Sequence, residues 1–136
     1  MYRRLGFYGL VVGVFFLLVA DLVASGSDLR LVDAVENKQS KDVIDSLLTR
    51  DVDVNAAQLD GTTALHWVVH RDDLEMAKLL IAAGANVNVS NDYGITPLSL
   101  ACTNGSSRMV RGLLQAGADP NSTRETGESV IMAVSR

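Results

Sequence analysis

The sequence is poor in cysteine, proline and aromatic residues, and each shortage limits the structures that the chain can form. Its single cysteine, Cys102, leaves no partner for an internal disulfide. Aromatic residues make up 5% of the 136 residues, so Leu, Val, Ile and Ala must build most of the core. Two prolines beside eleven glycines favour glycine-punctuated helices over a sandwich of many strands. A net charge of −4 with no basic stripe argues against nucleic acid or an anionic lipid surface as partner.

The segment 1–25 is predicted to be a secretory signal peptide. Arg3 and Arg4 precede an uncharged run, Leu5 to Ala20, and small residues follow up to Ser25, where cleavage is expected. The alternative is an uncleaved signal anchor, because Leu22 and Val23 could extend the apolar run. The chain is therefore expected to be exported, to the periplasm or the extracellular space, with membrane contact only through this segment if it stays uncleaved.

The remainder of the chain repeats itself at one fixed interval. Gly61, Gly94 and Gly127 stand 33 apart, and Thr63, Thr96 and Ser129 follow at one common offset. The segment GANVN at 84–88 returns as GADPN at 117–121. A fixed period of this length is typical of repeat architectures, in which neighbouring units bury one another's apolar faces.

The repeated residues resemble the ankyrin repeat. DGTTALHWVVHRDDLEMAKLLIAAGANVN matches that family's signature except that Ala64 replaces proline, and YGITPLSLACTNGSSRMVRGLLQAGADPN keeps Pro97 but has Ser99 in place of histidine. The resemblance extends over everything after the leader. It implies an all-α solenoid of stacked helix-turn-helix pairs with protruding hairpin-like loops. Repeats are expected at 28–59 (an N-terminal cap), 60–92 and 93–125, with an incomplete copy at 126–136. Because this last copy stops after one helix, the chain is expected to be a fragment of a longer array. The alternative is that the apolar edge of this half-repeat stays uncovered.

The signals for helix ends locate the helices within each repeat. Thr63 and Thr96 can cap free N–H groups at a helix start, and Pro97 suits a first helical turn. Gly84 and Gly117 can end a helix in the left-handed conformation. The first helices are predicted at about Leu29–Glu36, Leu65–His70 and Leu98–Thr103, and the second at about Lys41–Leu48, Leu74–Ala82 and Ser107–Gln115.

Two histidines, His66 and His70, raise the alternative of a metal site. Residues at i and i+4 share a helix face, but Trp67 stands where the zinc-protease motif has its glutamate. A structural zinc would need four ligands, and only the acids past the turn could supply the others. The resemblance instead implies that His66 bonds with Thr63 around the turn, and that His70 is exposed on the concave face. No metal site is therefore predicted, and Trp67 is expected to pack between repeats.

The implied function is a non-catalytic module that binds another protein, with no cofactor and no small-molecule substrate. No phosphate loop or nucleophile elbow occurs to suggest an enzyme. The alternative is the N-terminal scaffold of a longer exported protein whose activity lies beyond residue 136. Within the family, partners contact loop tips and the exposed side of the first helices. The tip residues here are Leu59, Asp60, Thr62, Asp92, Tyr93, Ile95, Glu125 and Glu128, and the helix-face residues are His70, Arg71, Thr103 and Asn104.

Overall fold

The computed structural model describes residues 28–122. The range contains six helices and no strand longer than an isolated bridge between Ala57 and Thr63. In chain order the helices are α1 (Arg30–Glu36), α2 (Lys41–Leu48), α3 (Ala64–His70), α4 (Leu74–Ala82), α5 (Pro97–Thr103) and α6 (Ser107–Gln115). The predicted all-α class is confirmed. The predicted signal peptide, Glu125, Glu128 and the copy at 126–136 lie outside the described residues.

The second helices α2, α4 and α6 have the predicted bounds, whereas the first helices each start one residue away from theirs. The threonine caps explain the difference in α5. The Thr96 hydroxyl accepts the Ser99 N–H (3.2 Å), while Ser99 Oγ accepts the Thr96 N–H (3.0 Å). This reciprocal capping box makes Thr96 the cap, so Pro97 becomes the first helical residue.

The helices stack into two layers around one apolar core. The first helices α1, α3 and α5 pack in a row, each first helix packs on the second helix of its own repeat, and α4 packs on α6. Every repeat therefore contributes to a core that no repeat could close alone. The largest fully buried side chains are Leu31, Val32, Val35, Ile44, Leu65, Val68, Val69, Leu80, Leu98, Met109 and Leu113.

Asparagine side chains tie consecutive repeats together after the second helices. Asn55 Oδ1 accepts the Asn86 N–H at 2.6 Å, and its Nδ2 donates to the Gly84 carbonyl at 3.1 Å. Asn88, at the same place in the next repeat, forms both bonds again with Asp119 (2.7 Å) and Gly117 (3.0 Å). These side chains hydrogen-bond to backbone groups of the turns that follow α4 and α6. Gly84 (φ +99°) and Gly117 (φ +96°) end these helices in the left-handed conformation, as predicted. The stacking is thus fixed by hydrogen bonds as well as by apolar contact.

Candidate functional site

Two tight hairpins project between the repeats and share one hydrogen-bond pattern. In the first, the Gln58 N–H donates to the Thr62 carbonyl (2.9 Å), and in the second the Asn91 N–H donates to the Ile95 carbonyl (3.1 Å). Polar side chains close the turns. Asp60 Oδ1 accepts the Thr62 N–H at 3.0 Å, which holds the pKa of the Asp60 carboxyl below its usual value. Side chains at the tips are therefore held by an ordered backbone.

The two hairpins are bonded to each other at their tips. The Asp92 N–H donates to the Asp60 carbonyl at 2.9 Å, and Asn91 Nδ2 donates to Thr62 Oγ1 at 3.4 Å. Leu59 is 104% exposed and Tyr93 is 66% exposed on this paired edge. Most of the surface of both side chains is exposed to solvent, so they are available to another molecule.

A glycine permits the close approach of the hairpins, and its replacement is expected to destabilise the chain. Gly61 has φ +78°, and an added Cβ would lie 3.1 Å from the Asn91 Cα, a backbone atom that cannot rotate away. Gly105 has a similar φ of +69° but nothing within 4 Å of its added Cβ. Left-handed strain alone costs an alanine about 1 kcal/mol. We therefore expect Gly61→Ala to lower the free energy of unfolding by at least about 1 kcal/mol more than Gly105→Ala. Urea denaturation of both variants measures this difference, and equal losses would contradict the contact between the hairpins.

His66 braces the turn and also reaches the next repeat. Its Nδ1 accepts the Thr63 N–H at 3.2 Å and lies 2.9 Å from the Thr63 hydroxyl, which can donate to it. Since Nδ1 is an acceptor, the ring proton is on Nε2, which donates to the Ile95 carbonyl at 2.9 Å. The predicted bond with Thr63 is confirmed, and the link to Ile95 was not foreseen. Burial lowers the pKa of the His66 imidazole, with the Ile95 carbonyl and the Asp60 charge opposing the shift.

The predicted contact residues fall into exposed and half-buried groups. His70, Asp92, Thr103 and Asn104 are exposed, as are Leu59 and Tyr93. Asp60, Thr62, Arg71 and Ile95 are half-buried. Exposure makes contact with a partner possible without demonstrating it, so the role of these positions in partner contact stays a prediction.

Two of the predicted contact residues, Arg71 and Asn104, join one repeat to the next. Arg71 Nη1 donates to the Glu36 carbonyl at 3.4 Å, at the end of α1. Asn104, at the equivalent place in the next repeat, donates from Nδ2 to the Val69 (2.9 Å) and His70 (3.1 Å) carbonyls at the end of α3. Both side chains donate to carbonyls at the end of a helix in the preceding repeat, which gives them a structural role.

A groove that was not predicted from the sequence lies between the two hairpins and the first helices α3 and α5. This Trp67 groove has a volume of about 250 Å³, and its lining includes Asp60, Thr62, Trp67, His70, Ile95 and Leu100. The half-buried indole of Trp67 packs against the core, as predicted, but also forms part of the groove wall. Its Nε1–H donates to Gln58 Oε1 (3.2 Å), and Gln58 Nε2 donates to Glu36 Oε2 (2.6 Å). The ring is thereby fixed in orientation.

Both His66 nitrogens are engaged in hydrogen bonds, so the ring is not available to a metal ion. Within residues 28–122, no three His, Cys, Asp or Glu side chains come together in a way that could hold a metal ion.

No helix in that same range has both the length and the apolar character that a membrane span requires.

The family model for Ankyrin repeats (3 copies) matches residues 31–124. The chain belongs to the ankyrin repeat family. Protein phosphatase 1 regulatory subunit 27 of Homo sapiens is 31% identical over 102 residues, covering 75% of this chain and 66% of that protein. Protein PhlB of Serratia liquefaciens is 39% identical over 99 residues, covering 72% and 44%. Zygote-specific protein 3 of Chlamydomonas reinhardtii is 34% identical over 119 residues, covering 88% and 32%.

The aligned part spans less than two thirds of the length of each of these relatives. Family membership confirms the ankyrin solenoid and indicates a protein-interaction module.

Proposed function

We propose that this chain is an exported, non-catalytic ankyrin module that binds a partner protein through its hairpin tips and the adjoining concave face. The observation that carries the proposal is the pair Leu59 and Tyr93, two large apolar side chains exposed on hairpins bonded to each other. An ordered backbone lowers the entropy lost when such anchors bind, so the tips are suited to recognition. Export rests on the leader at residues 1–25, with its basic start and apolar run.

The name of the human relative describes a regulatory subunit of a phosphatase. A regulatory subunit acts by binding another protein, which is the kind of role proposed for this chain. The braces formed by Arg71 and Asn104 lead us to rank these two residues below Leu59 and Tyr93 as partner contacts, since their donors already serve the fold.

Site-specific crosslinking in the native host tests the proposal. The photoreactive aromatic benzoylphenylalanine replaces Tyr93, and a matched version places it at Val43, an apolar residue 38% exposed on α2. We expect one predominant adduct from position 93, and we expect that the probe at position 43 does not form this adduct. Leu59→Ala in the first version should reduce that adduct at least about tenfold, because truncating an anchor removes about 2 kcal/mol or more of binding energy.

Mass spectrometry of the adduct then identifies the partner and the N-terminus of this chain. Equal adducts from both positions, or an adduct indifferent to Leu59→Ala, would sink the interaction surface. A chain that retains Met1 and stays in the compartment where it was made would show that export is wrong.

A further inference from the structure

The Trp67 groove has the size of a subsite for a single side chain. At about 250 Å³ it lies below the range of about 300–1,000 Å³ typical of clefts that enclose a whole small molecule. It opens between the two hairpins and the first helices α3 and α5, next to the exposed tips. A partner anchored on the tips would therefore have neighbouring side chains within reach of this groove.

Hydrogen bonds inside the fold leave the groove with few free donors. The Trp67 indole N–H is committed to Gln58, and the His66 Nε2–H is committed to the Ile95 carbonyl. Asn91 Nδ2 donates to Thr62 Oγ1. What the groove offers a visitor is the Trp67 indole, with the His70 ring set edge-on to it at a centroid distance of 6.4 Å, the apolar side chains of Ile95 and Leu100, and the carboxylate of Asp60.

The charges near the groove favour a cationic visitor. Asp60 lines it, and Asp92 is bonded through its N–H to the Asp60 carbonyl at the neighbouring tip. Glu36 lies one hydrogen-bonded side chain away from Trp67, through Gln58. Against these three acids stand His70 in the lining and Arg71, whose guanidinium points to the Glu36 carbonyl. Three acidic groups against two basic ones leave the charge around the groove negative.

We propose that the Trp67 groove binds one arginine side chain of the partner protein, its guanidinium lying against the indole and donating to the Asp60 carboxylate. This inference rests on the proposed function and names the chemistry of the partner. Arginine fits better than lysine because a planar guanidinium stacks on an aromatic ring and donates in its own plane to a carboxylate, whereas an ammonium is compact and strongly hydrated.

The single tryptophan of the chain makes the test direct, because its emission reports on this groove alone. The probe is the blocked tripeptide acetyl-Ala-Arg-Ala-amide, titrated into the purified protein at pH 8. Its control has citrulline in place of arginine, which keeps the shape and removes the charge. We expect a saturable change in Trp67 emission with the arginine peptide and about fivefold weaker binding of the citrulline peptide. Added salt should weaken only the former.

Variants of the protein complete the test. Asp60→Asn should weaken the arginine peptide about fivefold, whereas Asp51→Asn, the same charge change at an exposed acid outside the groove, should leave it within about twofold. Equal binding of the two peptides, or equal binding by the Asp60→Asn variant and the unaltered chain, overturns the inference. Circular dichroism confirms that both variants are folded.

The two proposals fail separately. If the arginine peptide does not bind while the adduct at position 93 still depends on Leu59, only the arginine subsite is wrong. If the peptide binds as expected but no such adduct forms, the groove stands and the tips are not the interaction surface.

Discussion

Truncating Leu113 to alanine is expected to lower the free energy of unfolding by about 2–5 kcal/mol. Leu113 is 0% exposed in α6 and belongs to the core cluster that also contains Leu80 and Met109. The substitution removes buried apolar atoms and leaves a cavity that surrounding helices can only partly fill. Because neighbouring repeats stabilise each other through shared surfaces, the loss should appear in the unfolding of the whole described array.

The adjacent residue Leu114 supplies the matched control. It carries the same side chain in the same helix but is 38% exposed. Leu114→Ala is expected to cost less than about 1 kcal/mol, since fewer apolar atoms lose their burial. Urea unfolding followed by circular dichroism gives both values. Similar losses at the two positions would contradict the orientation of α6 in the structure.

This pair also shows where prediction from sequence ends. The repeat period and the cap signals located the helices to within a residue, because helix ends depend on local chemistry such as Thr96 and Gly117. Leu113 and Leu114, however, are the same residue type at adjacent positions of one helix. Which of the two is fully buried depends on how α6 is rotated against α4, which is a tertiary property.

The proposed partner-binding surface was also only partly predictable from the sequence. The exposure of Leu59 and Tyr93 followed from their place at the hairpin tips, whereas Ile95, also expected to be an exposed apolar tip residue, is half-buried. The bracing roles of Arg71 and Asn104 did not follow, since their acceptors lie in the preceding repeat, far away along the chain. Both positions lie in the turn after a first helix, and this shared register was the available signal.

The Trp67 groove could not be read from the sequence for a further reason. Its walls come from two hairpins and two helices, and its size depends on the spacing between repeats. A tryptophan at an inter-repeat position predicts packing, which the half-buried ring confirms. Only the three-dimensional arrangement places Asp60 beside it.

Replacing His66 by alanine is expected to cost about 2–4 kcal/mol, the second large effect. The side chain is only 2% exposed, and its loss leaves the Thr63 N–H without its acceptor and removes one of the two donors to the Ile95 carbonyl, which keeps the Asn91 N–H. The chain itself suggests a milder variant, because Ser99 occupies the equivalent position in the next repeat and bonds within its own turn. His66→Ser should therefore keep the bond to Thr63, lose the link to Ile95 and cost about half as much. His70→Ala, on the exposed face, should stay within about 0.5 kcal/mol.

The pH dependence of stability distinguishes the contribution of the neutral His66 ring, with its hydrogen bonds, from the contribution of the volume that the side chain fills. Burial lowers the folded-state pKa of His66, so between that value and the ordinary pKa of about 6.5 the unfolded chain binds more protons than the folded one. The stability due to neutral His66 is therefore fully present above about pH 6.5 and declines as the pH falls through this window. Subtracting the unfolding free energy of His66→Ser from that of the unaltered chain, pH by pH, isolates this contribution because other groups cancel. The difference should shrink on acidification, since protonated Nδ1 can no longer accept the Thr63 N–H. A difference that stays flat from pH 8 to pH 5 would mean that Nδ1 is not the acceptor assigned to it.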